Sequence, residues 1–258
     1  MKAMRSLFLL MMVVWAARGQ ELEIRVVYDN TSARPGQVLE DWGYSAVVTF
    51  RSHRMLFDSG TKPELFLENL KKLGVAPETI HAAMISHEHG DHRNGVFKLF
   101  PLHRKLPIYF LDSFEKPAWD EAEKIAMKPV RVQGQREILP GMWTTGTVEG
   151  SPNEQALAVE TSNGIVMMVG CSHPGIVKLV ETVQRQRGQD SIRLLIGGFH
   201  MFQQQAPQIK AQIDALKKLK VRAVRPAHCT GELAHGLFRQ AWGSDYAQAG
   251  AGNVIRLE

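Results

Sequence analysis

This 258-residue sequence contains only two cysteines, Cys171 and Cys229. A small scaffold held together by several disulfide bonds is therefore excluded, and at most one disulfide can form within the chain. Each cysteine lies next to a histidine or within two residues of one, so a place near a functional site is an alternative to a structural disulfide. Long runs of like charge, low-complexity tracts and repeats of about 20–50 residues are also missing, which excludes extended disorder and solenoid folds.

The excess of positive charge is small. The formal net charge is +5, and Lys2, Arg5 and Arg18 contribute three of these charges from the first 19 positions. The other lysines and arginines are scattered, so the sequence predicts no nucleic-acid partner. We expect a small-molecule substrate instead, and nothing in the sequence indicates an oligomeric state.

The first 19 residues have the pattern of a secretory signal peptide. Lys2 and Arg5 form a short basic start, residues 7–17 are almost wholly apolar, and small residues precede the predicted cut after Gly19. The apolar run is shorter than the ~20 residues of a membrane-spanning helix, which disfavours a permanent anchor. We therefore predict a signal peptide at 1–19, a mature catalytic domain at 20–258, and a periplasmic or secreted protein without a stable membrane anchor.

Strands dominate the first half of the mature sequence, and strands alternate with helices in the second. Short or alternating apolar runs predict strands at 21–28, 45–50, 55–58, 80–85, 107–111, 130–139, 142–147, 155–160, 165–169, 192–196, 221–224 and 253–257. Apolar residues at helical spacing predict helices at 63–73, 113–127, 175–187, 207–220 and 231–242. No linker separates the halves, so the sequence predicts one α/β domain in which two sheets pack together with helices outside.

The strongest chemical feature is the stretch from Ser86 to His92, which contains His87, His89, Asp91 and His92. An apolar strand precedes it and fixes where the loop begins, so alternate residues can project to one side. His87 and His89 are then expected to bind one metal ion, while Asp91 and His92 turn toward a second. Imidazole and carboxylate ligands suit Zn²⁺, Mn²⁺ or Fe²⁺. A histidine-rich surface loop is the alternative.

Three further histidines, His173, His200 and His228, each follow a predicted strand and precede a predicted helix. The carboxyl ends of such strands are where open α/β sheets place their sites. We predict that His173 and His228 are metal ligands. His200 is either a ligand or a catalytic residue that donates to a developing oxyanion or phosphoryl oxygen. A packed or surface histidine is the ordinary alternative for each of them.

These motifs resemble a known family. The stretch from His87 to His92 matches the His-x-His-x-Asp-His signature of the metallo-β-lactamase superfamily, and Phe57 to Gly60 resembles its Asp-Ser-Gly turn. The segments 137–141, 153–157, 169–175, 196–200 and 226–231 narrow the resemblance to the branch that includes dihydropterin ribofuranosyl-aminobenzene phosphate synthase. The resemblance runs from about Ile24 to the C-terminus. It implies a four-layer αββα sandwich and a metal-dependent hydrolase.

The sequence departs from the wider superfamily at two points. The histidine of the usual third motif is missing near Ser151 and Pro152, and the segment from Gly170 to His173 replaces the usual bridging aspartate. His173 is therefore expected to supply a ligand that those motifs normally share. The resemblance implies two zinc ions, with manganese or iron also possible, and these departures leave a single ion as the alternative.

Other residues are predicted to support the centre. Asp58 and Cys171 are expected beside the ligands, and Asp91 is also expected to orient the nucleophile and pass a proton to the leaving group. Thr230 either caps a helix or opens one whose backbone N–H groups bind an anion. Residues 114–152 are expected to supply much of the pocket, with three large side chains as candidate walls or core residues: Trp119, Met142 and Trp143.

We therefore expect an exported metallo-hydrolase that uses a metal-activated hydroxide on a small phosphoester, ester, lactone or lactam. Three alternatives stay open. They are a mononuclear-iron oxidoreductase similar to persulfide dioxygenases, a transferase similar to the pterin-pathway synthase, and a non-catalytic metal-binding scaffold. Iron together with dioxygen uptake would favour the first of these over the hydrolase, and zinc or manganese would exclude it.

Overall fold

A computed structural model describes residues 21–258. The predicted signal peptide at 1–19 lies outside these residues. Between residues 21 and 258, no helix is both long enough and apolar enough to cross a membrane.

Two mixed sheets form the centre of the described chain. The first sheet begins with β1 (Leu22–Tyr28), β2 (Ser45–Phe50), β3 (His53–Phe57), β4 (Ala82–Met84), β5 (Ile108–Leu111) and β6 (Val130–Val132). The second contains β7 (Arg136–Leu139), β8 (Met142–Thr144), β9 (Leu157–Thr161), β10 (Gly164–Val169), β11 (Ile192–Gly198) and β12 (Val221–Ala227). The last strand, β13 (Val254–Leu257), returns to the first sheet beside β1, giving the orders β13-β1-β2-β3-β4-β5-β6 and β12-β11-β10-β9-β8-β7.

Helices cover the outer faces of the sheets. Those described are α1 (Pro63–Lys72), α2 (Gly90–Leu99), α3 (Lys116–Lys124), α4 (Ile176–Arg187), α5 (Ala206–Lys218) and α6 (Glu232–Trp242). Short 3₁₀ turns occur at Pro77–Thr79, Phe100–Leu102, His228–Thr230 and Gly243–Asp245. The spacing of Ile209, Ile213 and Leu216 shows why α5 forms: these side chains share one helix face and are buried on the second sheet.

The second sheet is buried on both faces. Met168 and Leu194 join the core between the two sheets, whereas their neighbours Met167 and Leu195 pack into the core under the helices. Side chains alternate across a strand, so a strand with two buried faces reads as a continuous apolar run. The layers are helix, sheet, sheet and helix, and the predicted αββα sandwich is confirmed.

Strand direction decides where the functional loops meet. The strands β10, β11 and β12 are parallel neighbours, so the loops that follow them leave from one edge. In the first sheet, β3, β4, β5 and β6 are also parallel neighbours. The loops that follow β3 and β4 therefore leave that sheet from a common edge too.

The predicted continuous strand at 130–139 is wrong. It divides into β6 and β7, which belong to different sheets, so the chain crosses between sheets at residues 133–135. Gly134 lies in this crossing, and a Cβ atom on Gly146 would come within 2.3 Å of its carbonyl carbon. Alternation of apolar and polar residues indicates that a strand has a buried face, but it does not indicate to which sheet the strand belongs. The pattern therefore could not reveal the crossing.

Candidate metal centre

The histidine-rich stretch is a turn into a helix that the sequence analysis did not predict. After β4 the chain passes through His87, and His89 is the N-cap residue of α2. Asp91 and His92 lie in the first turn of that helix, where a negative charge is stabilised by the helix dipole.

The six predicted metal ligands come together as two groups of three. Donor group one consists of His87, His89 and His173, and donor group two consists of Asp91, His92 and His228. Within each group, the potential ligand atoms all lie within 4.8 Å of one another. The division matches the predicted pairing of His87 with His89 and of Asp91 with His92, while metal binding by these residues stays a prediction.

Donor group one presents ring nitrogens that have no protein partner. The ring of His87 donates from Nδ1 to the hydroxyl of Ser86 at 2.9 Å, which leaves Nε2 buried without a hydrogen bond. The Nε2 atom of His173 is also buried and unpartnered. Burial and the neighbouring histidines lower the pKa of His173 to about 3 and hold the pKa of His87 well below its usual value. Both rings are therefore neutral near pH 7, the form that binds metals.

Donor group two is held by charge. The Oδ2 atom of Asp91 lies 3.2 Å from Nε2 of His228, which in turn lies 3.2 Å from Nε2 of His92. Burial would lower the pKa of His92, but the Asp58 carboxylate 2.7 Å from its Nδ1 atom prevails and raises it to about 9. For Asp91, burial opposes ionisation, yet the contact with His228 and the charge of His92 keep the pKa well below its usual range.

Asp58 connects the two ends of the histidine motif. Its Oδ1 atom accepts a hydrogen bond from the backbone N–H of Ser86 at 2.7 Å. Its Oδ2 atom accepts from the Ser86 hydroxyl and from His92 Nδ1, both at 2.7 Å. The carboxylate is fully buried, so these donors are its environment. Asp58 thus lies beside the candidate ligands, where the sequence analysis expected it.

Asp29 and Asn30 orient His228, a role that the sequence analysis missed. The backbone N–H of His228 donates to Asp29 Oδ2 at 2.9 Å. The ring Nδ1 of His228 lies 2.9 Å from Asn30 Oδ1, and the Asn30 amide donates to the His228 carbonyl at 3.0 Å. This contact leaves Nε2 free to face Asp91, as an outer partner of a metal ligand does. The available signal was a polar pair directly after strand β1.

Glu154 organises the loop that carries His173, and this role was also missed. Its Oε1 atom accepts hydrogen bonds from the backbone N–H groups of Gly170, Cys171 and Ser172 at 2.9, 3.1 and 3.0 Å. Its Oε2 atom accepts from the N–H of His173 at 2.8 Å. Burial raises the pKa of this carboxyl to about 6, against the effect of these donors. One side chain therefore fixes four consecutive residues.

The neighbouring Gln155 holds the other loop of donor group one. Its side-chain amide donates to the Ile85 carbonyl at 2.8 Å, and its backbone N–H donates to the Ser86 carbonyl at 2.9 Å. Its Oε1 atom accepts from the Thr144 hydroxyl at 2.6 Å. Glu154 and Gln155 belong to the segment 153–157, one of the segments that carry the family resemblance. In the structure, two adjacent residues of it position the loops of His87 and His173.

Both cysteines lie at the centre as free thiols. The Sγ atom of Cys171 is 3.2 Å from His92 Nε2 and 3.2 Å from the Sγ atom of Cys229. His200 completes a third cluster with these cysteines, and its buried Nδ1 atom has no hydrogen-bond partner. The His200 ring also lies 4.4 Å from the ring of His173, measured between centroids. His200 therefore lies beside donor group one and is a member of neither donor group.

Thr230 is not a helix cap. Its hydroxyl donates to the Ala227 carbonyl at 2.7 Å and accepts from the N–H of Phe199 at 3.2 Å. The N-cap residue of α6 is Gly231, because His228 to Thr230 form a separate 3₁₀ turn. The interpretation of Thr230 as an N-cap is wrong, and its hydroxyl instead joins the loops that carry His200 and His228.

A cavity of about 400 Å³ adjoins His89. Its lining includes part of the expected segment 114–152 and consists of Glu88, His89, Arg93, Glu115, Pro117, Ala118, Ser151 and Pro152. The three candidate walls are elsewhere. Met142 is in the core between the sheets, Trp119 packs against Phe110 beneath Arg131, and Trp143 lies under Arg187. Of the two interpretations, pocket wall and core residue, the core interpretation is therefore confirmed: Met142 is buried, and Trp119 and Trp143 pack against the two cores.

Comparison with known proteins decides the family. The model of the metallo-β-lactamase superfamily matches residues 43–169, which include His87 to His92. The chain belongs to this superfamily. A metal-dependent hydrolase of the β-lactamase superfamily, Tm1679, superposes with a TM-score of 0.76 and 26% identity, covering 92% of this chain and 99% of that one. A diphosphatase of the PhnP family shares the fold, with a TM-score of 0.61 and 15% identity over 92% and 98% of the two chains.

A curated relative comes from Methanocaldococcus jannaschii. It is 7,8-dihydropterin-6-methyl-4-(β-D-ribofuranosyl)-aminobenzene-5'-phosphate synthase, which is 29% identical over 248 residues. The alignment covers 79% of this chain and 84% of the relative. Membership of the superfamily thus indicates a metal-dependent hydrolase, whereas this named relative is a synthase.

Proposed function

We propose that this protein is a hydrolase that binds two divalent metal ions and cleaves a small phosphoester, ester, lactone or lactam. One observation carries the proposal: six potential ligands from three segments of the chain form two groups of three, and ring nitrogens of His87 and His173 are buried there without partners. Unpaired buried polar atoms are costly, and a bound ion would satisfy them. Imidazole and carboxylate donors fit zinc, with manganese or iron as alternatives.

The chemistry divides between the ions and the protein. Ions held by the two donor groups would lower the pKa of a coordinated water to roughly 7 and polarise the substrate. We assign Asp91 the task of orienting the attacking water and transferring its proton to the leaving group. Its low pKa keeps it ionised at neutral pH. We assign His200 a hydrogen bond to the negative charge that develops on the substrate, because it adjoins His173 from outside both groups.

The relatives favour a phosphorylated substrate. The name of the archaeal synthase describes a pterin compound with a ribose phosphate, and its alignment extends over most of both chains. A phosphoester is therefore our first choice within the hydrolase class. The same similarity makes a synthase-type transferase the second candidate. Product analysis separates the two, because a hydrolase incorporates one oxygen atom of water into a product and a transferase joins two substrates.

We also propose that the protein is exported and acts in the periplasm or outside the cell. The basic start, the apolar run at 7–17 and the small residues at the predicted cut support export, and the mature chain is then expected to begin at Gln20. Mass spectrometry of the protein from its native host checks the cut. An intact N-terminus beginning at Met1 would contradict export.

The experiment that tests the function begins with metal content. We expect close to two zinc or manganese ions per chain in protein purified without chelators, together with metal-dependent cleavage of an activated aryl phosphodiester. His228→Ala should lose one ion and reduce turnover by roughly 100-fold or more. His81→Ala is the matched control, because His81 is exposed directly before β4, the strand that leads to His87.

Three results would contradict the proposal. Absence of bound metal after reconstitution would show that the protein is not a metal-dependent hydrolase. A single iron ion with dioxygen uptake would favour the oxidoreductase. Two ions bound without turnover of any phosphoester, ester, lactone or lactam would favour the metal-binding scaffold.

A further inference from the structure

Two exposed aromatic side chains flank the metal centre. The side chains of Trp42 and Phe202 are 46% and 45% exposed, and their ring centroids lie 6.0 Å apart in an edge-to-face arrangement. The Trp42 ring is 4.8 Å from the ring of His228, and the Phe202 ring is 5.3 Å from that of His200. We call Trp42 and Phe202 the aromatic pair. Single exposed apolar residues are common, but this pair adjoins the proposed reaction centre.

The loop that carries Trp42 is fastened to the centre. The N–H of Gly43 donates to Asn30 Oδ1 at 3.2 Å, and the N–H of Tyr44 donates to the Asp91 carbonyl at 3.1 Å. Gly43 has φ +142°, and a Cβ atom there would lie 2.6 Å from that same carbonyl oxygen. The close approach therefore requires glycine, and it holds Trp42 next to the candidate ligands rather than in a core.

Phe202 is held through a second loop, the one that follows β11. The N–H of Met201 donates to the Cys229 carbonyl at 3.1 Å, which ties this loop to the one after β12. Gly231 has φ +84°, and a Cβ atom there would come within 2.5 Å of the Phe202 Cα atom. Both aromatic side chains are thus exposed, but the backbone next to each of them is hydrogen-bonded to segments of the candidate metal centre.

We infer that the aromatic pair is a binding subsite for a flat aromatic ring of the substrate. The inference rests on the proposed function, which concerns the phosphoester, ester, lactone or lactam group that is cleaved. It adds that another part of the substrate, the part that the protein recognises, is an aromatic ring. A planar ring that contacts Trp42 and Phe202 lies beside His228 and His200, so a hydrolysable substituent on that ring reaches the two donor groups.

The size and chemistry of the subsite favour a ring over an acyl chain. Aromatic rings gain stacked and edge-to-face contacts beyond the apolar area that they bury. The ring neighbours of the pair are the imidazoles of His200 and His228. With their centroids 6.0 Å apart, the two aromatic side chains can both contact a single ring-sized group.

Two phosphonates of similar size test the inference. Phenylphosphonate and cyclohexylphosphonate carry the same metal-binding head group, but only the first is flat and aromatic. Calorimetric titration of the zinc-loaded full chain should show tighter binding of phenylphosphonate by about 2- to 12-fold. Trp42→Leu and Phe202→Leu, which keep apolar bulk, should each reduce this preference, and the double variant should remove it.

The control is Leu102→Ala, which changes another exposed apolar side chain, at 60% exposure, on the 3₁₀ turn after α2. It should leave the preference unchanged. Equal affinities in the unaltered protein, tighter binding of the cyclohexyl compound, or binding of neither would overturn the inference. A phenyl preference that needs the aromatic pair, in a protein that hydrolyses no tested ester, would sustain the subsite and reject the proposed hydrolase.

Discussion

The two donor groups are built differently, although they lie side by side. Donor group one contains three imidazoles, and its positions depend on neutral contacts to Ser86 and on the backbone hydrogen bonds of Glu154. Donor group two contains a carboxylate, and Asp58 makes a buried ionic contact with His92. Unpartnered nitrogens characterise the first group, while the ligand atoms of the second already contact one another.

This difference suggests separate means of preorganisation. In the first group, buried nitrogen atoms of neutral rings have no hydrogen-bond partner in the protein, so a bound ion would supply the missing interaction. In the second, opposite charges hold the side chains close before an ion arrives. The supporting residues are correspondingly distinct: Glu154 serves the first group, Asn30 the second, and Asp58 reaches both through Ser86 and His92. Substitution of each should therefore affect the two groups unequally.

Asp58→Asn should have the largest effect, because it alters both groups. An amide cannot accept hydrogen bonds at both former oxygen positions, and the buried His92 loses its counter-charge. We expect a loss of about 3–5 kcal/mol from the free energy of unfolding of the metal-free protein, as when a buried ion pair is broken. Chemical denaturation measures the free energy of unfolding, and metal analysis measures the ions that the variant retains. Asp190→Asn, at an exposed carboxylate, is the control, and an unchanged stability and metal content in Asp58→Asn would refute this role.

Glu154→Gln should separate the groups. Glutamine can keep one oxygen toward Gly170, Cys171 and Ser172, but its NH₂ group would then face the N–H of His173. We expect the ion of donor group one to bind roughly 10- to 100-fold more weakly while the other ion is retained. Competition with a chromophoric zinc chelator measures both affinities.

The exposed Glu149→Gln is the matched control for this change. Equal weakening of the two ions in Glu154→Gln would show that the groups do not act separately. Unchanged affinities would show that the four backbone contacts have no influence on metal binding.

Asn30→Ala should weaken metal binding at donor group two rather than at donor group one, and by a smaller factor than Glu154→Gln. The change removes the partner of His228 Nδ1, but Asp29 still accepts a hydrogen bond from the His228 backbone. We expect roughly 10-fold weaker binding at donor group two and no change at donor group one. The same chelator competition reports this, with the exposed Asn163→Ala as control. Selective weakening at donor group one would reverse the assignment of Asn30.

His235→Asn should have the smallest effect on stability. Because His235 lies apart from both donor groups, this change tests the effect of a buried histidine on stability without altering a candidate metal ligand. Burial lowers the pKa of His235 from its usual 6.5, and its Nδ1 atom contacts the Tyr246 hydroxyl at 3.0 Å, apart from both donor groups. Because the folded pKa is lowered, its contribution to stability is present above about pH 6.5 and is lost as the pH falls toward the folded pKa.

Thermal unfolding of the metal-free protein across this pH range tests the assignment. The His235→Asn variant should lose less stability on acidification than the unaltered protein, and its metal content should not change. An equal pH dependence in both proteins would show that this histidine does not contribute to acid sensitivity.

The candidate ligands and the layered fold could be predicted from the order of residues alone. His87, His89, Asp91 and His92 lie within six residues, so local geometry keeps them together whatever surrounds them. His173, His200 and His228 could be predicted because each follows an apolar strand, and the parallel strands β10, β11 and β12 bring those strand ends to one edge. The alternation of strands and helices, with no linker between the halves, also predicted two packed sheets with helices outside.

The support of these ligands and their surroundings depend instead on tertiary packing. Asn30 contacts His228 across 198 positions of sequence, and Glu154 reaches the loop at 170–173 from another strand connection. The crossing between β6 and β7 and the meeting of Trp42 with Phe202 likewise depend on how the sheets and loops pack. A residue pattern reports spacing along one segment, whereas these contacts join segments whose separation is set by the packing of the whole domain.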